Sequence, residues 1–497
     1  MIKRYFAIKD NTITNAFDRS LVTRGTGSNM GQSDILEAFT IYAQVSSSSG
    51  LSTEKARILI EFDLNEINAD NNPTGTKYFL KLFNARHSST LPRDFSMQVL
   101  AINGEWEEGR GLDMDNYSDL TYDITGSNWI RRKGATSWGD QGGSTHASPV
   151  FSANFSVGDE DLEVDVTTLV DQWIAGSKNN NGFMIRMSSD LESAPESFFT
   201  KKFFARSSEF YFSRPVLEAR FDDSKLDDRG QFYLSSSLAS ATDNLNTIYL
   251  YNYVRGRLRN IPSVGTGKIG VSLFSSSLGA PTGFSLKLVN DNDDNVRSAN
   301  RFVVTGGYVS TGIYSASVAF TGSASLEKIH DVWFKLDPSV LSAKTSTSQF
   351  TTGSIDVKRF NSYSHTDTDR YIFSVSNRNN TYACDQTHRI RLYAREKGWS
   401  PNIFTVATQI PPSLVFASAS YEICRTVDDR VVIPYGTGST QHTRLSYDAS
   451  GSYFDLDTSI LEPNYIYEMK LSIYDPDVDT YEEQPFSYKF RVVKNEY

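Results

Sequence analysis

Apolar residues in this chain recur at every second position, and that period constrains the fold more than any other feature. In Arg57-Ile58-Leu59-Ile60-Glu61-Phe62-Asp63-Leu64, one face carries Ile58, Ile60, Phe62 and Leu64, and the other carries Arg57, Leu59, Glu61 and Asp63. Side chains alternate across a strand in this way, whereas a helix would group them at three and four. Residues 78–83 read as a strand apolar on both faces. Tyr467, Met469, Leu471 and Ile473 share one face near the end of the chain, and Phe486, Tyr488, Phe490 and Val492 share another. Aromatic and β-branched residues suit such pleated, half-buried surfaces. Clusters of Gly, Asn and Ser at 25–31, 46–50 and 179–182 read as the turns between them.

Helix signals are few. In residues 167–176, Leu169, Val170, Trp173 and Ile174 form one helical stripe, Thr168 and Asp171 have capping-box spacing, and Gly176 is placed to end the helix. This short helix is expected to close one end of a barrel or sandwich. Residues 326–336 fit either a helix or, through Val332-Trp333-Phe334, a strand. At roughly 150 residues per domain, 497 residues make about three domains. The expected units are 1–222, 223–353 and 354–497, with the charged run 222–228 as a linker. Short strands with regular turn signals make the expected class all-β, the last two units being immunoglobulin-like β-sandwiches.

The net charge of −10 argues against nucleic acid as a partner, because phosphate binding needs clustered Lys and Arg. The two basic runs, 131–133 and 255–259, read as solvated loops or subunit contacts. The sequence has no apolar stretch long enough to span a bilayer, so membrane insertion is not expected. Lys3 and Arg4 are followed by Asp10 and Asn11 rather than by a signal-peptide core, which sets the expectation of cytoplasmic synthesis. Cys384 and Cys424 belong to no metal-binding spacing and read as small buried hydrophobes, with a mutual disulfide left open.

An ordered series of motifs runs through residues 1–222. It comprises Asn29-Met30-Gly31, the 57–64 strand, Glu105-Trp106-Glu107-Glu108-Gly109, and Trp138 with Gly142-Gly143. It continues with Asp165-Val166-Thr167-Thr168-Leu169-Val170-Asp171-Gln172-Trp173, then Asn180-Asn181-Gly182-Phe183. Ser207-Ser208-Glu209 and Arg214-Pro215-Val216-Leu217-Glu218 close it. The series resembles the DNRLRE-type domain, a jelly roll related to carbohydrate-binding modules of bacterial surface proteins. The resemblance covers about 45% of the chain. It implies an N-terminal jelly-roll sandwich. The 113–133 stretch is a long insertion relative to that pattern. Residues 454–465, followed by a Tyr-rich hairpin, look more loosely like accessory structural proteins of large tailed bacteriophages.

Residues suited to chemistry do not assemble into a catalytic pattern. His87, His146, His330, His365, His388 and His442 show no zinc spacing, and the small Gly turns lack the spacing of a phosphate loop. The acidic pairs Glu107-Glu108 and Asp159-Glu160-Asp161 read as solvated loop charges. The acidic runs 291–295 and 475–479 fail the calcium-loop pattern at its Gly and Glu positions. No catalytic, metal-binding or cofactor-binding residue is therefore expected. Trp138, and then Trp106, are candidate glycan platforms beside Gly-rich loops, while Trp173 belongs to the core. The expected function is a non-enzymatic virion structural protein of a tailed bacteriophage, a neck, tail or fibre-attachment component that forms homo-oligomers and binds other virion proteins. The alternative is an adhesin that binds a host surface glycan through the jelly roll. A polysaccharide depolymerase ranks third.

Overall fold

A computed structural model describes residues 1–17, 21–47, 50–86, 92–112, 126–236, 239–240, 242–275, 303–319, 326–336, 349–358, 371–403, 406, 413–475 and 479–494. The all-β class holds: strands dominate, with short helices at Leu64–Asp70, Thr167–Ile174 and Ser189–Ser193.

In the N-terminal unit, one strand builds both layers. The first residues of Ile2–Thr14 pair with Val216–Arg220, from Ile2↔Arg220 to Phe6↔Val216. From Ala7 onward the same strand pairs with Gly50–Phe62, ending at Thr14↔Ala56. The register shifts between Ala7 and Lys9, a bulge that leaves Ile8 exposed and lets the strand cross from one layer to the other. Lys77–Leu82 and Leu162–Asp165 extend the first layer; Phe183–Met187, Phe95–Ile102 and Thr145–Phe155 extend the second. Between the layers lies a core of Ile58, Ile60, Phe62, Leu80, Met97, Phe183, Trp173 and their neighbours.

Thr167–Ile174 caps this sandwich as expected, burying Leu169, Val170 and Trp173. Its start differs from the expected capping box. Val166 is the N-cap residue, without a side-chain cap, and the Asp165 carboxylate accepts the Thr167 N–H instead. Gly176 does end the helix, at φ +69°. The Leu64–Asp70 helix was not foreseen. Leu64 completes the apolar face of the 57–64 run from the first turn of a helix, because Asp63 caps that turn by accepting the Asn65 N–H.

In the middle unit, residues 328–335 resolve to a strand, with Trp333 fully buried. Its eight-stranded sheet runs from Phe232–Tyr233 to Asn246–Tyr251 around one core containing Phe232, Ile269, Tyr314 and Trp333. The Asn246 side chain spans the two end strands, donating to Tyr233 O at 3.0 Å and accepting the Tyr233 N–H at 2.9 Å. The sheet thus nearly closes on itself. It also extends past residue 353, since Ile355–Lys358 pairs with Phe232–Tyr233 and Lys328–Lys335.

The C-terminal unit is a β-sandwich. One layer contains Tyr371–Val375, Thr387–Glu396, Gly451–Asp457 and Ser446–Asp448. The other contains Thr381–Ala383, Tyr488–Val493, Ile466–Asp475, Ala419–Arg425 and Arg430–Ile433, with Thr480–Glu483 alongside. The alternating sets read from the sequence face its core: Tyr467, Met469, Leu471, Tyr488, Phe490 and Val492. Cys384 and Cys424 are both buried, and no disulfide joins them.

Candidate functional site

The sequence motifs of the N-terminal unit meet in space, and what they build is scaffold. Asn29 accepts the Gly111 N–H and donates to Glu108 O, both at 2.9 Å. A Cβ on Gly31 would lie 2.4 Å from Glu108 O, so this approach requires glycine. Arg206 donates two hydrogen bonds of 2.6 Å to the Glu108 carboxylate. Arg206 N also donates to Asp10, whose carboxyl is wholly buried, and burial pushes that group up to about 7. Glu108 is therefore not a solvated loop charge. Nor is Glu160 simply solvated, since its carboxylate accepts the N–H groups of Ser156, Val157 and Gly158.

The candidate glycan platforms need correcting. Trp138 is 5% exposed and Trp106 is 1% exposed. With Trp129 they cover Ile13, Leu59, Ile102 and Met184, which point out from the second layer. Trp106 Nε1 donates to Asn181 O at 2.9 Å and Trp138 Nε1 to Asn128 O at 2.8 Å. Arg57 lies over Trp129 and donates to Gly142 O and the Glu192 carboxylate. Gly142 and Gly143 take φ of +85° and +97°, and side chains there would strike Trp129 and Met184. The Gly-rich loop thus closes over the indoles, leaving no ring face open for a sugar to stack on. Sequence proximity to glycine suggested openness, whereas the glycines serve close packing.

The most elaborate polar cluster lies where the N-terminal and C-terminal units meet. Every residue of Val216–Arg220 is buried. Glu218 is 0% exposed and pairs with Arg4 at 2.9 Å and Arg220 at 2.6 Å, with Lys81 Nζ at 3.8 Å. Burial alone would raise this carboxyl; Arg4, Lys81 and Arg220 outweigh it and hold it at about 2. Arg4 also donates across the junction to Val432 O. Arg430 donates back to Phe212 O at 2.7 Å. Ile2 and Phe212 belong to the core cluster of the C-terminal sandwich. His442 is 4% exposed at this junction, and burial, then Arg220 and the α-amino group, push it down to about 4.

The charged linker is also bound. Lys225 O accepts the Tyr447 N–H, Tyr447 O accepts the Asp227 N–H, and Tyr447 Oη donates to Asp228 at 2.6 Å. Arg229 makes a bidentate pair with the buried Asp331, which also accepts from Trp333 Nε1. Leu226 thus forms a parallel bridge with Tyr447, which binds the linker beside Ser446–Asp448 rather than leaving it a free tether. Tyr447→Phe should lower stability by about 1–2 kcal/mol, because it leaves Asp228 short of a donor; chemical denaturation measures this.

The neutral His442 sets an acid limit. Its folded value lies below the ordinary 6.5, so its contribution is complete above pH 6.5 and is lost as pH falls toward 4. Glu218 adds a second loss between about pH 4.5 and 2. Across pH 6.5–4 the melting temperature of the wild type should drop relative to that of His442→Gln, while the raised carboxyls of Asp10 and Asp227 work in the opposite sense in both proteins.

Among the described residues, no group of three or more His, Cys, Asp or Glu is placed to hold a metal ion. The 291–295 run, 476–478, His87 and His365 lie outside the described residues, as does 113–125 of the insertion. Among the described residues no helix is long and apolar enough to cross a membrane.

No family model matches the chain, and no curated protein matches it. Among solved structures, it is similar to a chimeric titin Z1Z2 tandem carrying a fibronectin peptide, at 7% identity over 53% of this chain and 94% of that one, with a TM-score of 0.15. A marsupial T cell receptor gives 10% identity, 55% and 70% coverage and a TM-score of 0.15. A Salmonella alpha-2-macroglobulin gives 9% identity over 92% of this chain but 21% of that one, with a TM-score of 0.14. Likenesses at this level carry no argument about function.

Proposed function

We propose that this chain is a non-enzymatic structural component of a tailed-bacteriophage virion, a neck, tail or fibre-attachment protein that works by holding β-domains in fixed relation. The observation that carries the reading is the junction at Glu218. Three cations, one buried carboxylate and two apolar side chains lent to a neighbouring core join separate sandwiches into one body. A protein that transmits load or fixes geometry in a particle needs such joints more than it needs a cleft. The likeness of residues 454–465 to phage accessory proteins supplies the context. In this role the chain would be made in the host cytoplasm, and its open sheet edges would be covered by neighbouring subunits or by copies of itself. Antibody labelling of purified particles tests the reading: label at a fixed place on the particle supports it, and particles free of the chain sink it.

A groove of about 430 Å³ on the N-terminal unit favours the glycan-binding alternative. Ile8 lines its apolar part, and Asp63, Asn65, Lys178 and Asn179 supply hydrogen-bonding groups. Specific retention on host polysaccharide, abolished by Asn179→Ala but not by Trp138→Phe, would favour that role over the structural one.

A further inference from the structure

Lys201 has an environment that nothing in the structural role requires. It lies on the Phe198–Phe204 strand, which pairs with Ile35–Ser47 on one side and meets the chain at Asn84 through a single bridge to Phe203. The side chain is 0% exposed. Its Nζ lies 4.9 Å and 5.3 Å from the ring centroids of Phe155 and Phe203. Three acceptors face it: Gly158 O at 2.8 Å, Glu160 O at 2.7 Å and Asn84 Oδ1 at 2.7 Å. Two are backbone carbonyls. The third belongs to a side-chain amide, whose carbon can lose ammonia without breaking the main chain.

The distances suit attack. With a carbonyl bond of about 1.2 Å, Asn84 Cγ lies no more than about 3.9 Å from Nζ, close to the roughly 3–3.5 Å of a near-attack geometry. Burial draws the ammonium down to about 8, against the opposing charges of Glu160, Asp161 and Asp159. About one Lys201 in ten is then the neutral nucleophile at pH 7, far more than for an ordinary lysine. Asp161 accepts the Asn84 backbone N–H at 2.7 Å and fixes the residue that carries the electrophile.

We propose that Lys201 and Asn84 condense into an intramolecular side-chain amide that ties the Phe198–Phe204 strand to the segment following Lys77–Leu82. The ammonium first loses one proton to solvent, the exchange that its lowered value of about 8 describes. The Nζ–Cγ bond then forms, the Cγ–Nδ2 bond breaks, and a second proton passes from Nζ to the departing nitrogen. The released ammonia takes a proton back from solvent, so one ammonium and one primary amide become one secondary amide and one ammonium ion. No oxidant, metal or cofactor enters the balance.

Denaturing intact-mass measurement of the purified full chain tests this. The wild type should weigh about 17 Da less than its sequence. Trypsin should release residues 82–86 joined to residues 187–202. In freshly made protein the deficit should grow about tenfold faster at pH 9 than at pH 7, following the neutral fraction of Lys201. Lys201→Met and Asn84→Ala should lack the joined peptide. Full sequence mass in the wild type after incubation at pH 9 overturns the proposal whether or not the variants fold. So does a deficit without the joined peptide, which would place the loss of ammonia elsewhere.

Discussion

Glu218→Ala should cost the protein about 3–5 kcal/mol and loosen the C-terminal sandwich from the N-terminal unit. The substitution removes the carboxylate that Arg4 and Arg220 share and Lys81 approaches; it takes the acid partner from the buried Arg4 and leaves Arg220 and Lys81 with the more exposed Glu163 alone. Removing one partner of a buried ion cluster is far more costly than replacing the whole cluster with apolar groups. The expected readout is a lower melting temperature together with new protease cleavage near residues 222–230. Loss of stability without new cleavage there would show that the cluster supports the N-terminal unit alone. Glu218→Gln separates the charge from the shape, because it keeps the hydrogen-bond acceptor and should recover part of the loss.

Trp138→Ala should be destabilising by about 3–5 kcal/mol, with Trp106→Ala alongside it. Each indole fills space between the covering loop and the outward-facing Ile13, Leu59, Ile102 and Met184. Truncation also leaves Asn128 O or Asn181 O without its indole donor. Trp138→Phe should cost less, since it keeps most of the volume and loses only the hydrogen bond and part of the ring. Were Trp138→Ala to fold with wild-type stability and lose binding to a glycan, the buried cluster would have to open in solution, and the indole would regain the role its sequence position suggested.

The strands were legible because period two survives in a single sequence. Met469 and Phe490 could be assigned to a core from alternation alone, and the structure puts them there. Alternation was less informative where both faces of a strand are covered. Leu59 was placed on the charged face of its strand, yet it is fully buried beneath the tryptophan loop. The helix at 64–70 was missed because its first apolar residue continues the strand's rhythm. The joints were the least legible. Glu218 stands in an apolar strand beside Val216, Leu217 and Ala219, and a charge in such company is a signal of pairing. Its partner Arg4 is more than two hundred residues away, and Val432 more than two hundred further on. No spacing rule reaches that far. The same holds for Lys201 and Asn84, which a hydrogen bond joins across 117 positions.

The strand Ile2–Thr14, which crosses between layers at Ile8, also imposes an order of events on the nascent chain. It is synthesised before all its partners, its early half pairs with Val216–Arg220, and Ile2 and Arg4 reach into a sandwich that includes the Tyr488–Val493 strand. Until Val216–Arg220 have been translated, half of that strand has unpaired backbone groups, and the Ile2 side chain stays uncovered until the C-terminal sandwich follows. Such long-range closure makes folding slow and late. A growing chain of this design is most prone to associate with its neighbours while residues 2–6 still lack partners.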